Sequence, residues 1–80
     1  MTYRNTAAII EACDKVARRC ITIGGKYHGS AWLFDQAMRA FDHKAIEAVT
    51  YEVYINAPVM KQGEATIHRD GRLEMRTVGA

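Results

Sequence analysis

Proline is nearly absent from this chain: Pro58 is the only one among 80 residues. A Pro-rich linker or spacer is therefore excluded. Disorder is excluded as well, because 49% of the residues are hydrophobic and only 25% are charged. Cysteine is scarce, with only Cys13 and Cys20, and no Cys-x-x-Cys is present, so neither a disulfide framework nor a zinc ribbon can be built. Seven residues apart on one helix, the two thiols would share a face but stand about 10 Å apart along the axis. An intrachain disulfide needs Cα atoms within about 7 Å. They read as two buried thiols, with an intermolecular disulfide as the alternative if either is exposed.

Long apolar runs are missing too. None approaches the ~18 residues of a membrane span, and no hydrophobic leader follows Met1. The expectation is a cytoplasmic protein with no membrane partner. Charge of one sign is not dominant. The net charge is +2 and the pI near 8.7, far from the bias of a dedicated nucleic-acid arm. The chain is long enough for one domain spanning residues 1–80. A chain this short buries only about 60–65% of its unfolded surface, so its core is marginal and oligomerisation is a common remedy.

What is present centres on Ser30 to Phe41, which holds Trp32 and both phenylalanines. Phe34, Ala37, Met38, Phe41 and Ala45 recur at i, i+3, i+4, i+7 and i+11, the apolar stripe of a helix, which Trp32 and Leu33 widen at its N-terminal end. Ser30 is the expected N-cap. Asp35 and Arg39 stand at i, i+4, with the acid first. Asp42-His43-Lys44 either ends the helix or is carried through to about Ala48. Before it, Asn5 or Thr6 caps a first helix whose stripe is Ile9, Cys13, Val16, Ala17 and Cys20. Glu11–Lys15 and Asp14–Arg18 are spaced for ion pairs, and Arg18 and Arg19 complement the dipole at its end. Gly24-Gly25 either stops this helix or turns a hairpin between Ile21–Ile23 and Lys26–His28.

The second half reads as β-structure. Val49, Tyr51, Val53 and Ile55 alternate with Thr50, Glu52, Tyr54 and Asn56, a half-buried strand that Pro58 terminates. A hairpin follows, pivoting on Asp70-Gly71. A two-residue loop would set Ile67 against Glu74 and Ala65 against Arg76. A three-residue loop Arg69-Asp70-Gly71 sets Ile67 against Leu73 and Ala65 against Met75, with Thr66–Glu74 and Glu64–Arg76 on the other face. The second register keeps each face consistent and is predicted. The fold class is α+β: two helices packed on a small antiparallel sheet of three or more strands, with a C-terminal β-hairpin.

Chemistry-bearing residues are dispersed. His28, His43 and His68 fall on a loop, a helix end and a strand, and no pair has the spacing of a helical metal site. His68 is expected beside Arg72 and Glu74. Cys13 and Cys20 lie on an apolar stripe without an adjacent base, and Ser30 is spent as a cap, so no nucleophile is set up. Glu52, Glu64 and Glu74 are explained by cross-strand partners such as Arg76 as well as by acid–base work. Gly24-Gly25-Lys26 lacks the pattern and context of a phosphate loop. The stretch from Cys20 to Ser30 is too long for a helix-turn-helix joint. No catalytic residue, metal or cofactor is expected. Tyr3, Tyr27 and Tyr54 each suit either core or contact.

In its length, its Met1 start and its lack of catalytic motifs, the chain resembles the small accessory proteins of phages and mobile elements. Anti-CRISPR proteins are a prominent group among them. The resemblance implies an inhibitor that occupies a surface of a host nucleoprotein complex in the host cytoplasm; it assigns no site residues. The function expected is a non-enzymatic interaction module, an inhibitor or adaptor that binds a protein or nucleoprotein partner. Tyr54, His68, Arg72 and Arg76 on the outer sheet face are its candidate partner-binding residues, with Arg18, Arg19 and Lys26 as a second cluster. One alternative is a weak nucleic-acid-binding domain that uses a basic sheet face. Another is a homodimeric structural protein, paired through helices or through the edge segment Arg72 to Val78.

Overall fold

A computed structural model describes residues 5–55 and 60–78. Six elements follow in order: α1 (Thr6–Arg19), β1 (Cys20–Thr22), α2 (Ser30–His43), β2 (Ala48–Ile55), β3 (Lys61–His68) and β4 (Leu73–Thr77). The strands form one four-stranded antiparallel sheet in the order β1-β2-β3-β4. Both helices lie on one face of it, α1 on β3 and β1, and α2 on β2. The α+β reading is thus shown, with four strands in the sheet where three or more were expected.

α1 forms where its apolar stripe and its cap agree. Asn5 is the N-cap, and its Oδ1 accepts from the Ala8 N–H at 3.1 Å, satisfying one donor of the first turn. Ile9, Cys13, Val16 and Ala17 are buried, and Ala12 joins them. Cys20 is buried too, as the C-cap residue that opens β1. Neither Glu11–Lys15 nor Asp14–Arg18 is among the ion pairs of the described residues, whereas Arg39 Nε meets Asp35 Oδ2 at 2.9 Å.

α2 differs from expectation in two ways. Its N-cap is Gly29, not Ser30: the Gly29 carbonyl already accepts the Leu33 N–H, which places Ser30 inside the helix, and no side chain caps it. Its buried stripe is Leu33, Ala37, Ala40 and Phe41, with Phe34 and Met38 only partly buried. Ala45 is exposed, outside the helix, at a positive φ of 54°. The helix therefore ends at His43, the earlier of the two expected ends.

Gly24-Gly25 turns the chain but does not stop α1, which ends at Arg19 with Cys20 as its C-cap, a strand earlier. β1 runs from the end of α1 and pairs with β2. The chain then reverses through Ile23, Gly24 and Gly25, all at positive φ. A single bridge joins Thr22 to Lys26, with the Thr22 N–H donating to the Lys26 carbonyl at 2.9 Å. The full hairpin to His28 does not form.

The C-terminal hairpin has the predicted register: Ile67↔Leu73, Ala65↔Met75, Thr66↔Glu74 and Glu64↔Arg76. Gly71 sits at φ 93°, as the three-residue loop requires. The core between helices and sheet holds Ile9, Val16, Leu33, Phe41, Val53 and Ile67 at its centre. Tyr51 reaches across the layers, its hydroxyl donating to the Leu33 carbonyl at 2.9 Å. The Met1–Arg4 lead-in, Tyr3, Asn56 and the Pro58 strand stop lie outside the described residues.

Candidate interaction surface

Strand alternation decides what the helix-free face displays. Tyr51, Val53, Ala65 and Ile67 are buried under the helices, so their sequence neighbours point the other way. The register then aligns that face in rows. Ala48 stands opposite His68. Thr50, Thr66 and Glu74 form the next row, and Glu52, Glu64 and Arg76 the one after. Ile21, Tyr54 and Gln62 form the last, joined by Val78, whose N–H donates to the Gln62 carbonyl at 2.9 Å.

The middle of the face is a polar lattice. Thr50 Oγ1 and Thr66 Oγ1 lie 3.0 Å apart. Arg76 donates to Glu64 Oε1 from Nε at 2.8 Å and from Nη2 at 2.6 Å. This guanidinium offsets the repulsion of Glu52 and Glu64, which face each other directly. His68 Nε2 meets Glu74 Oε1 at 2.9 Å, and Arg72 Nη2 approaches His68 Nδ1 at 3.4 Å. Arg72 Nε is 4.0 Å from the same Glu74 oxygen. His68 thus stands between Arg72 and Glu74, as read from the hairpin register.

Of the predicted partner-binding residues, Tyr54, His68, Arg72 and Arg76 share this face. Arg18 and Arg19 end α1 in the helical layer, and Lys26 lies beyond β1, at the sheet edge opposite β4. The two basic clusters are therefore not combined. The face itself is not basic: Glu52, Glu64 and Glu74 stand against Arg72 and Arg76, and both arginines are engaged by carboxylates. Sequence reasoning missed Ile21 and Val78 as members of this surface. Their signal was the alternation of β1 and β4, hidden in β1 by its length of three residues.

The other candidates lie apart from this face. Cys13 and Cys20 are free and buried. Burial pushes the Cys13 thiol up to about 11 and raises Cys20 as well, so both are poor nucleophiles at neutral pH. His28 stacks on Trp32, ring centroids 3.9 Å apart, at the start of α2. His43 is the last residue of α2. Tyr27 is 66% exposed. Among the described residues no group of three His, Cys, Asp or Glu converges as metal ligands, and no helix is long and apolar enough to cross a membrane. No protein-family model, no curated protein and no solved structure matches this chain.

Proposed function

We propose that this chain is a non-enzymatic interaction module that binds a protein or nucleoprotein partner through the helix-free face of its sheet, as an inhibitor or adaptor. The observation that supports it is the one-sided packing of the helices. It leaves Tyr54 with Ile21 and Val78 at one end of a continuous face, and Arg72, Arg76 and His68 along the rest. Tyr and Arg are the residue types enriched at the centres of protein interfaces. Two hydrogen bonds to Glu64 hold Arg76 in place, which lowers the entropy lost on docking. The resemblance to phage accessory proteins makes a host nucleoprotein complex the partner to test first, and anti-CRISPR activity the form that binding would take.

The reading as a weak nucleic-acid binder is the less supported one. Phosphate neutralisation needs uncommitted cations, and the acidic residues of this face compete for Arg72 and Arg76. The test compares tagged wild-type chain with the triple variant Tyr54→Ala, Arg72→Ala, Arg76→Ala in capture from host lysate, with and without nuclease. A partner held by the wild type after nuclease, and lost by the triple variant, supports the proposal. Capture abolished by nuclease favours nucleic acid, and capture unchanged in the variant places the surface elsewhere. Plaque formation by a targeted phage on a CRISPR-immune host expressing the chain tests the anti-CRISPR form.

A further inference from the structure

The sheet has two edges, and they are not alike. β1 is three residues long, and the Thr22 N–H on its outer side is already bonded to Lys26. β4 is five residues long and pairs with β3 in an unbroken register. It has no proline, no lysine and no bulge to blunt it, and its two charged residues, Glu74 and Arg76, are of opposite sign.

The direction of its free groups follows from the bonds it makes. The Val78 N–H donates to Gln62, and the Arg72 carbonyl accepts from His68 at 2.8 Å. In an antiparallel pair the hydrogen-bonded residues alternate. Even-numbered residues of β4 therefore point their main-chain groups at β3. Leu73, Met75 and Thr77 point theirs out of the sheet.

We propose that a second copy of this chain pairs with that edge, antiparallel, about a two-fold axis at Met75. The two sheets become one of eight strands. The register is set by charge. With Met75 opposite Met75 of the second copy, Leu73 faces Thr77, and Glu74 faces Arg76 twice over. Shifting the axis to Glu74 or to Arg76 keeps the outward groups matched but sets like charges directly opposite, which is destabilising. Larger shifts run past the Gly71 turn at one end or past Thr77 at the other. On the chosen register, the Glu64–Arg76 and His68–Glu74 contacts within each copy join across the seam into one continuous polar chain, with the Arg76 and Glu74 charges alternating along the seam. On the helix side, Leu73 and Met75 are half-buried in the single chain, and the second copy covers their exposed flank. Such a two-fold contact is isologous and closes, so it does not propagate into a fibre. This inference goes beyond the partner reading above, since it uses the edge and not the face.

Sedimentation velocity over about a hundredfold range of concentration reads the association directly. The wild type is expected to move from monomer to dimer. Glu74→Arg leaves two positive charges on the edge, and Arg76→Glu leaves two negative ones. Each alone is expected to self-associate about tenfold more weakly, and an equimolar mixture of the two is expected to recover the dimer. Amide exchange of Leu73, Met75 and Thr77 in the wild type, expected to slow as concentration rises, needs no variant and decides the matter even if a reversal unfolds the chain. A wild type that stays monomeric, or a dimer in which these amides exchange at the same rate at every concentration, overturns the proposal.

Discussion

The guanidinium of Arg69, in the loop between β3 and β4, donates to the main-chain carbonyl of Phe41 in the last turn of α2. A helix leaves its final carbonyls without partners, and its C-terminus carries partial negative charge. A part-buried cation donor answers both. The same side chain lies over the Phe41 ring, 5.4 Å from its centroid, and approaches the Ile46 carbonyl at 3.4 Å. Its main chain joins two further segments, donating to the Glu47 carbonyl at 2.8 Å and accepting from the Asn5 N–H at 3.2 Å. One residue thus ties the ends of both helices to the hairpin. Arg69→Ala is expected to lower stability by about 3 kcal/mol, the scale of losing charged hydrogen bonds from a part-buried site. Arg69→Lys keeps the charge but not the planar fork, and is expected to recover less than half of that. Urea denaturation of the three chains checks it.

Gly71 makes a second prediction at the same corner. Any Cβ there would run into the Cβ of Ala8 in the first turn of α1, and its backbone lies at φ 93°. Gly71→Ala therefore combines left-handed strain, about 1–2 kcal/mol, with displacement of the hairpin from α1. A total loss of about 3 kcal/mol is expected. Gly24→Ala shares the positive φ, yet nothing lies within 4 Å of its added Cβ, so only the strain of about 1 kcal/mol remains. The difference between the two midpoints isolates the packing contribution. Equal losses would show that Gly71 acts through its backbone alone.

These residues show what could be read from the chain alone. The hairpin register was legible because only one alignment kept both faces consistent, and the stripe of α1 because its apolar positions admit one phase. α2 was harder. Trp32, Leu33 and Phe34 are consecutive and apolar, so two phases fit, and the core selected the one through Leu33 and Ala40. The end of α2 lies with Arg69, distant in sequence, and a charged residue in a turn gives no sign of reaching a helix end. β1 was hidden because three residues carry too little alternation to separate a strand from a helix end. The site was legible to the same degree: the β3–β4 residues on the face followed from the register, while Ile21 needed β1.

Tyr51 offers a prediction about how the layers are joined. Its ring is buried and its hydroxyl donates to Leu33 in the first turn of α2. Tyr51→Phe removes the donor and leaves the ring packing intact. The Leu33 carbonyl retains its helical partner, so the expected loss is about 1 kcal/mol, the net value of one neutral hydrogen bond. Because Trp32 lies 6.4 Å from Tyr51, tryptophan fluorescence is a suitable probe of the unfolding transition. A loss near zero would mean that water replaces the bond at no cost.

The buried acids fix the response to alkali. Burial, chiefly, raises Cys13 from its ordinary 9.0 to about 11, and raises Tyr51 and Cys20 as well. The unfolded chain releases the Cys13 proton near pH 9.0, while the folded chain keeps it until about 11. Between those values the folded state binds more protons, so stability falls as pH rises; below them both states are protonated and stability is fully present. The urea midpoint is therefore expected to be insensitive to these groups up to about pH 9 and to decline above it. Cys13→Ala lowers the midpoint at neutral pH by removing a buried side chain, but it also removes one of the titrating groups. Its midpoint should fall less steeply between pH 9 and 11 than that of the wild type. Parallel curves would assign the alkaline loss to Tyr51 and Cys20, and Tyr51→Phe on the same pH series would then separate those two.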